Sequence, residues 1–359
     1  MGLSVTLARP RAKTLFFVLA AFVALAGTVV ALRNGAPDAG LGIAGRGTAV
    51  AGSALRPGTP PGPYPTTPPA RVCGDRRLLT GPDAPPKGAT VVPAGDNSQL
   101  TIPWNSPSFS QEGTTYWFAP GVHTLGPDTF AQIVPGRNAT FVGAAGAVLD
   151  GGRKNNYAFG GKATGVTIRY LTITNFVAPV SEGVVNHDPG PGWTFEYNTV
   201  TRNDGAGLVL GPGNRASRNC LSDNGQYGFI AKGADGPGTD IVLDRNEVSG
   251  NNTGDWEKKI ENCGCTGGGK FWDVRGARVT ANYVHHNKGV GIWADTNNTD
   301  FLIEGNWIED NDAQGIFYEI SYNAAIRRNV VKHNLLTVGR DRIARKETWP
   351  DAAIYISES

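Results

Sequence analysis

Six short segments of this chain follow one pattern: Tyr197-Asn198-Thr199-Val200, Arg218-Asn219-Cys220-Leu221, Arg245-Asn246-Glu247-Val248, Ala281-Asn282-Tyr283-Val284, Gly305-Asn306-Trp307-Ile308 and Arg328-Asn329-Val330-Val331. Each carries Asn, one variable residue, then an aliphatic. Five residues after each Asn stands another: Asn203, Asn224, Asn251, Asn287, Asn311 and Asn334. Nine residues after the first Asn, four copies place Gly207, Gly228, Gly291 or Gly315 ahead of a short β-like stretch. The first-column Asn residues are 21, 27, 36, 24 and 23 apart. Fixed offsets inside units of varying length mean one supersecondary unit stacked on copies of itself, with loops of different size between.

The units hold only short strands and show no helical period. Alternation within a strand puts Val200, Leu221, Val248, Val284, Ile308 and Val331 on one face. No single unit can bury that face. Parallel stacking at about 4.8 Å buries it as a continuous column. Asn at the bends suits left-handed turns and lets amides bond up and down the stack. Both Asn columns are therefore read as structural.

The pattern resembles the right-handed parallel β-helix proteins, a group that includes pectate lyases, alginate lyases, polygalacturonases and mannuronan epimerases. The resemblance runs from about 165 to 359. Upstream, Thr115–His123 and Phe141–Gly151 look like the first coils. It implies an all-β, single-stranded solenoid. For function it implies a carbohydrate-active protein on an extracellular polysaccharide, a lyase, epimerase or glycoside hydrolase. The alternative is a non-catalytic glycan-binding or cell-surface scaffold on the same fold.

Composition narrows the setting. Gly is 49 of 359 residues without the three-residue period of collagen. A net charge of +2 argues against a nucleic-acid partner. Residues 1–70 hold six Lys/Arg and one Asp, which leaves 27 basic against 30 acidic residues in 71–359. Arg9, Arg11 and Lys13 precede an uncharged run from Leu15 to Leu32. Residues 1–32 thus read as a cleaved signal or a single-pass anchor that engages the membrane or the secretion machinery. Either way the body is extracytoplasmic. Residues 33–70, rich in Pro, Gly, Ala and Thr, read as a linker. The β-helix domain is expected over 71–359, its cap and first coils over about 71–164, and the protein is expected to be a monomer. The chain closes on Ala353-Ile354-Tyr355-Ile356-Ser357-Glu358-Ser359, a strand pattern with no cap, so the solenoid is expected to be C-terminally truncated.

Four cysteines, Cys73, Cys220, Cys263 and Cys265, permit three disulfide pairings in an oxidising compartment. Cys263-Gly264-Cys265 lacks a second half with zinc spacing. His285-His286 follows the inward Val284, so one of the two points outward, and a metal site there needs more ligands. Cys220 is expected at the surface, since it precedes the inward Leu221.

Candidate functional residues come from the outward positions of the Gly-led strands. The first outward column reads Val209, Ile230, Lys270, Trp293, Phe317 and Tyr355. The second reads Gly211, Lys232, Trp272, Asp295, Glu319 and Ser357, with His187 added by the earlier segment Gly183-Val184-Val185-Asn186-His187. The register of Lys270 is open by one residue; a slip replaces Trp272 by Asp273. Two inserts break the spacing at the same corner. One includes Asp255–Lys259, and the other holds Arg340, Asp341, Arg342, Arg345, Lys346, Glu347 and Trp349. They lie three coils apart, about 14 Å.

Between them a floor of aromatics and carboxylates is expected to bind sugar, with Trp272, Trp293, Phe317, Lys232 and Tyr355 as binding residues. Asp295 and Glu319, at one register on adjacent coils, are expected roughly 5 Å apart, as in a retaining glycosidase. The same pair suits a Ca²⁺ site. A lyase or epimerase needs a base at the sugar C5 and a cation opposite the uronate. Lys232, Lys270 or an arginine of the second insert supplies either role, and His187 is a further candidate base.

Overall fold

The computed structural model describes residues 64–102, 110–260, 263–335, 337 and 352–359. Residues 1–63, with the membrane-directed segment and most of the linker, lie outside the described residues, as does the second insert. Among the described residues no helix is long and apolar enough to cross a membrane.

The described chain is a solenoid of three parallel sheets, with one short antiparallel pair, Thr101–Ile102 and Gln132–Ile133, among its first coils. Sheet A starts at Thr90–Val92 and runs through Thr194–Glu196 and Arg278–Thr280 to Tyr322–Arg327; sheet B runs from Gly95–Asp96 to Val330–Lys332; sheet C runs from Gly183–Val185 to Ile354–Ser357. The pairings within these sheets are parallel, and each strand lies beside the equivalent strand of the next coil. Helix among the described residues includes the single turns Arg76–Leu79 and Trp256–Lys259 and a 3₁₀ turn at Ser98–Leu100.

The aliphatic column forms as the repeat requires. Val200, Leu221, Val248, Val284 and Ile308 are fully buried, and Val331, on the last coil, is partly so. Aromatics fill the wider parts of the core, with Phe229, Phe271 and Phe301 in edge contact at 5.1–5.3 Å. Gly269 occupies an inward position where a Cβ would lie 2.0 Å from the Phe229 ring, so only glycine admits that ring.

Each Asn amide donates to the Asn side-chain oxygen one coil on. Asn198→Asn219, Asn219→Asn246, Asn246→Asn282, Asn282→Asn306 and Asn306→Asn329 span 2.9–3.1 Å. The second ladder, Asn203 to Asn334, is equally continuous. The left-handed backbone falls on the residue before each Asn, not on the Asn expected there. Tyr197, Arg218, Arg245, Ala281, Gly305 and Arg328 have φ of 53–66°, and Arg202, Asp223, Gly250, His286, Asp310 and His333 have φ of 53–63°. The preceding residue makes the bend, which frees the Asn amide to lie buried along the stack.

The first described residues strap the outside of the solenoid. Cys73 is bridged to Cys220, 147 residues away, and Cys263 to Cys265. Cys220 faces outward from sheet B as expected, and the strap that carries Cys73 packs over it, leaving it 3% exposed. Beside it, the buried Glu247 carboxylate accepts the backbone N–H groups of Val72 and Cys73 at 2.6 and 2.8 Å and Nε of Arg71 at 2.5 Å. An anion at the start of strand Glu247–Ser249 is thereby matched by three donors from the strap.

Candidate functional site on the outer face of sheet C

Strand pairing fixes the outward columns. Val209, Ile230, Lys270, Trp293, Phe317 and Tyr355 stand in one register, and Trp272, Asp295, Glu319 and Ser357 in another. The ambiguity at Lys270 resolves in favour of Trp272. Asp273 instead makes a left-handed turn, φ 49°.

The C-terminal half of the face is a closed ionic cluster. Lys270 Nζ lies 2.7 Å from Asp295 Oδ2, donates to the Gly264 carbonyl at 2.7 Å, and sits 3.9 Å from the centre of the Trp293 ring. The first insert folds down over the ammonium through Gly264, so Lys270 and Asp295 are both 9% exposed. The other Asp295 oxygen accepts from the Thr296 hydroxyl at 2.8 Å. The Trp293 indole N–H donates to Glu319 Oε1 at 2.8 Å. Burial pushes the Glu319 carboxyl up, the Trp293 hydrogen bond opposes this, and the charge of Asp295 adds to the rise.

The aromatic floor differs from expectation. Trp293 and Phe317 stack on each other at 5.4 Å and 13°, and Phe317 meets Tyr355 at 5.1 Å. Rings stacked along the solenoid axis use their faces on one another and turn edges outward. Trp272 is the exception, 49% exposed, with Lys270 Nζ 5.4 Å from its ring centre.

A second polar group lies further toward the N-terminus. Gly183 pairs with Ala206 and Val185 with Leu208, so His187 does not share the register of Lys232 that its offset from Gly183 implies. Asn186 takes a left-handed turn, φ 60°, and its amide is buried against Asn214. His187 beyond the turn stacks on Tyr157, ring centres 3.7 Å apart and planes 22° apart. The Tyr157 hydroxyl donates to Glu182. Burial, then the neighbouring Glu182, pushes the Tyr157 phenol up, so it stays protonated.

Burial lowers the His187 imidazole, with Asp188 and Glu182 opposing and Lys232 reinforcing the shift. Burial also lowers the Lys232 ammonium, with Glu182 opposing. Lys232 follows the strand two coils on from the one that leads to His187, since Gly183–Val185 pairs with Ala206–Leu210 and that strand with Phe229–Ala231. Asp188 is pinned by the Gly161 N–H at 2.6 Å. Tyr157, Glu182 and Asp188 escaped the sequence reading because they lie before or beside the regular repeat, at corners where spacing carries no phase.

One wall flanks both groups. Gln226 accepts from the Ser181 N–H at 2.6 Å and donates to the Cys265 carbonyl at 2.8 Å, tying the loop before sheet C to the first insert.

Residues 182–356 match the family model for the right handed beta helix region. The solenoid is a right-handed parallel β-helix. Solved β-helix structures similar to this chain include the A-modules of two Azotobacter vinelandii mannuronan C-5 epimerases. AlgE6 is 14% identical over 70% of this chain and 69% of that one, TM-score 0.48; AlgE4 is 14% identical over 70% and 71%, TM-score 0.43. Pectate lyase Pel9A is 15% identical over 64% of this chain and 72% of that one, TM-score 0.38. No curated protein sequence matches this β-helix chain.

Proposed function

We propose that this β-helix protein is an exported enzyme acting on an extracellular polysaccharide along sheet C, removing the C5 proton of a uronate as a lyase or epimerase. The observation behind this reading is the His187–Tyr157 stack, with the Tyr157 hydroxyl donating to Glu182. An imidazole held neutral by burial is a competent base near neutral pH. Charge that builds on the uronate carboxylate as the proton leaves is met by Lys232. Tyr157 keeps its proton and serves as the acid toward the leaving oxygen of a lyase, on the same side of the sugar as His187; an epimerase takes its proton from a further donor on the opposite face of C5. Glu182 holds the phenol in place.

In this reading the cluster that begins three coils on from the His187 strand binds the polymer and does no proton transfer. Trp272 offers an open ring face to a sugar. Lys270 and Asp295 neutralise each other, which makes them poor candidates for the base or the cation. Ca²⁺ between Asp295 and Glu319 requires Lys270 to leave Asp295, so chelation is expected to leave turnover unchanged.

A glycoside hydrolase is the second reading, favoured by the raised Glu319 carboxyl beside Asp295, the pattern of an acid paired with an anion. A panel of uronate-containing and neutral polysaccharides separates the readings. Unsaturated product signals a lyase, inverted C5 signals an epimerase, and reducing ends without unsaturation signal a hydrolase. Glycan binding with no turnover on any polymer supports the scaffold and overturns the enzyme.

A further inference from the structure

Where sheet A turns into sheet B, planar side chains stack along the solenoid axis. Tyr170, Tyr197 and Arg218 make the left-handed bends of three coils, with φ of 60, 59 and 53°. Their strands pair in succession, so the side chains follow one another at about 4.8 Å per coil. The Tyr170 and Tyr197 rings stack at 5.1 Å and 7°. The Arg218 guanidinium lies over the Tyr197 ring, 5.9 Å from its centre. Stacking uses the flat face of a guanidinium and leaves its N–H edge free to meet a planar anion with two parallel bonds. Arg218 spends one weak bond locally, to Ser217 Oγ at 3.5 Å.

The strap brings more charge to this corner. Cys73 is bridged to Cys220 on the Arg218 coil. Gly81 is pressed against the Tyr170 coil, where a Cβ would lie 1.9 Å from the Gly143 carbonyl oxygen and 2.9 Å from Tyr170 Cβ. The turn Arg76–Leu79 lies between these two anchor points. Arg76 and Arg77 are exposed, as is Arg215, which precedes Arg218 on its coil. None of these four arginines forms an ion pair among the described residues. The carboxylates nearby are engaged. Glu196 faces Arg169 at 3.8 Å, Asp244 faces Arg245 at 2.6 Å, and Glu247 faces Arg71. Asp75 accepts the backbone N–H groups of Arg77 and Leu78. Residues 71–359 hold 30 acidic against 27 basic side chains, so four unpaired guanidiniums on one corner run against the charge of the body.

We propose that this corner binds an acidic polysaccharide, with Arg218 taking a carboxylate in its fork and Arg76, Arg77 and Arg215 meeting carboxylates of neighbouring sugars. A linear polymer repeats its charge along a line, as the coils repeat theirs. A membrane surface is a poorer fit, because interfacial binding wants apolar side chains beside the basic ones. Among the described residues, no large apolar side chain is exposed on the coils of Tyr197 and Arg218. This corner is the one that sheet C does not border. It holds the polymer away from the sheet C groups and stands whether or not sheet C is catalytic.

The test uses full-length His187→Ala/Trp272→Ala protein as the reference, so that sheet C contributes neither turnover nor its open ring. Fluorescence anisotropy of labelled polygalacturonate should show binding by the reference, weaker at high salt. Adding Arg76→Ala/Arg77→Ala, or adding Arg218→Lys, should weaken binding about tenfold, the weight of a lost charged hydrogen bond. Melting temperatures should not change. Arg218→Lys keeps the charge and loses the flat fork, so its loss of affinity separates planar recognition from bulk charge. Uncharged dextran should not compete. No binding by the reference, or equal binding after all four arginines are changed to Ala, overturns the proposal. So does competition by dextran, or tighter binding of phosphatidylglycerol vesicles through the same arginines.

Discussion

The ammonium of Lys270 and the carboxylate of Asp295 face each other at 2.7 Å on adjacent coils, both nearly removed from water. Breaking a buried pair from one side strands a charge. Lys270→Met is therefore expected to destabilise the protein by about 3–5 kcal/mol, and Lys270→Met/Asp295→Leu by less. Denaturant unfolding of the two variants checks this. A Lys270→Met variant as stable as wild type contradicts the closed cluster.

His187→Ala is expected to lower kcat on the responsive polymer 10²–10⁴-fold, the usual weight of a general base. Trp272→Ala should instead raise KM and change kcat little. Steady-state kinetics separates these outcomes; a His187→Ala variant with wild-type kcat removes the assignment.

The acid limb of activity has a defined sign. Burial holds the His187 imidazole below its ordinary 6.5, so the neutral base persists to lower pH. The acid limb of kcat/KM should therefore fall below pH 6.5. The same shift makes the unfolded chain the better proton acceptor, so the His187 contribution to stability falls with pH through this window. An acid limb centred above pH 7 contradicts the placement of the ring.

Glu309 sets a second pH window. Burial alone would raise its carboxyl, but the Tyr283 hydroxyl at 2.6 Å and the Lys332 ammonium at 3.0 Å outweigh burial and bring it to about 2. A depressed carboxylate stabilises above its unfolded value of 4.5, and this contribution is lost as pH falls toward 2. Acid unfolding of Glu309→Gln should show a shallower loss of stability between pH 4.5 and 2 than wild type.

The strap should matter as much as the core. Cys73→Ser is expected to cost about 3–5 kcal/mol, since the bridge closes a very long loop. Glu247→Gln should add to the loss by weakening the acceptor for Arg71, Val72 and Cys73. Melting temperatures of both single variants and the double check this.

The sequence by itself determined the solenoid. Its two Asn columns and the aliphatic column are local, periodic statements, and stacking identical units satisfies all of them at once. For the same reason the outward order from Lys270 to Tyr355 was legible, because pairing of parallel strands transmits phase from coil to coil.

What lay at the corners was decided only in three dimensions. Pairing of Gly183 with Ala206 shifted His187 from its counted register, and a left-handed turn at Asn186 precedes its stack on Tyr157. The insert dropped Gly264 onto Lys270. The strap reached back 147 residues to cover Cys220. The aromatic column faced along the axis because rings about 5 Å apart gain more from stacking on one another than from facing water. Periodicity fixes what repeats. Turns, inserts and the strap occur once each, so no spacing in the sequence carries their geometry.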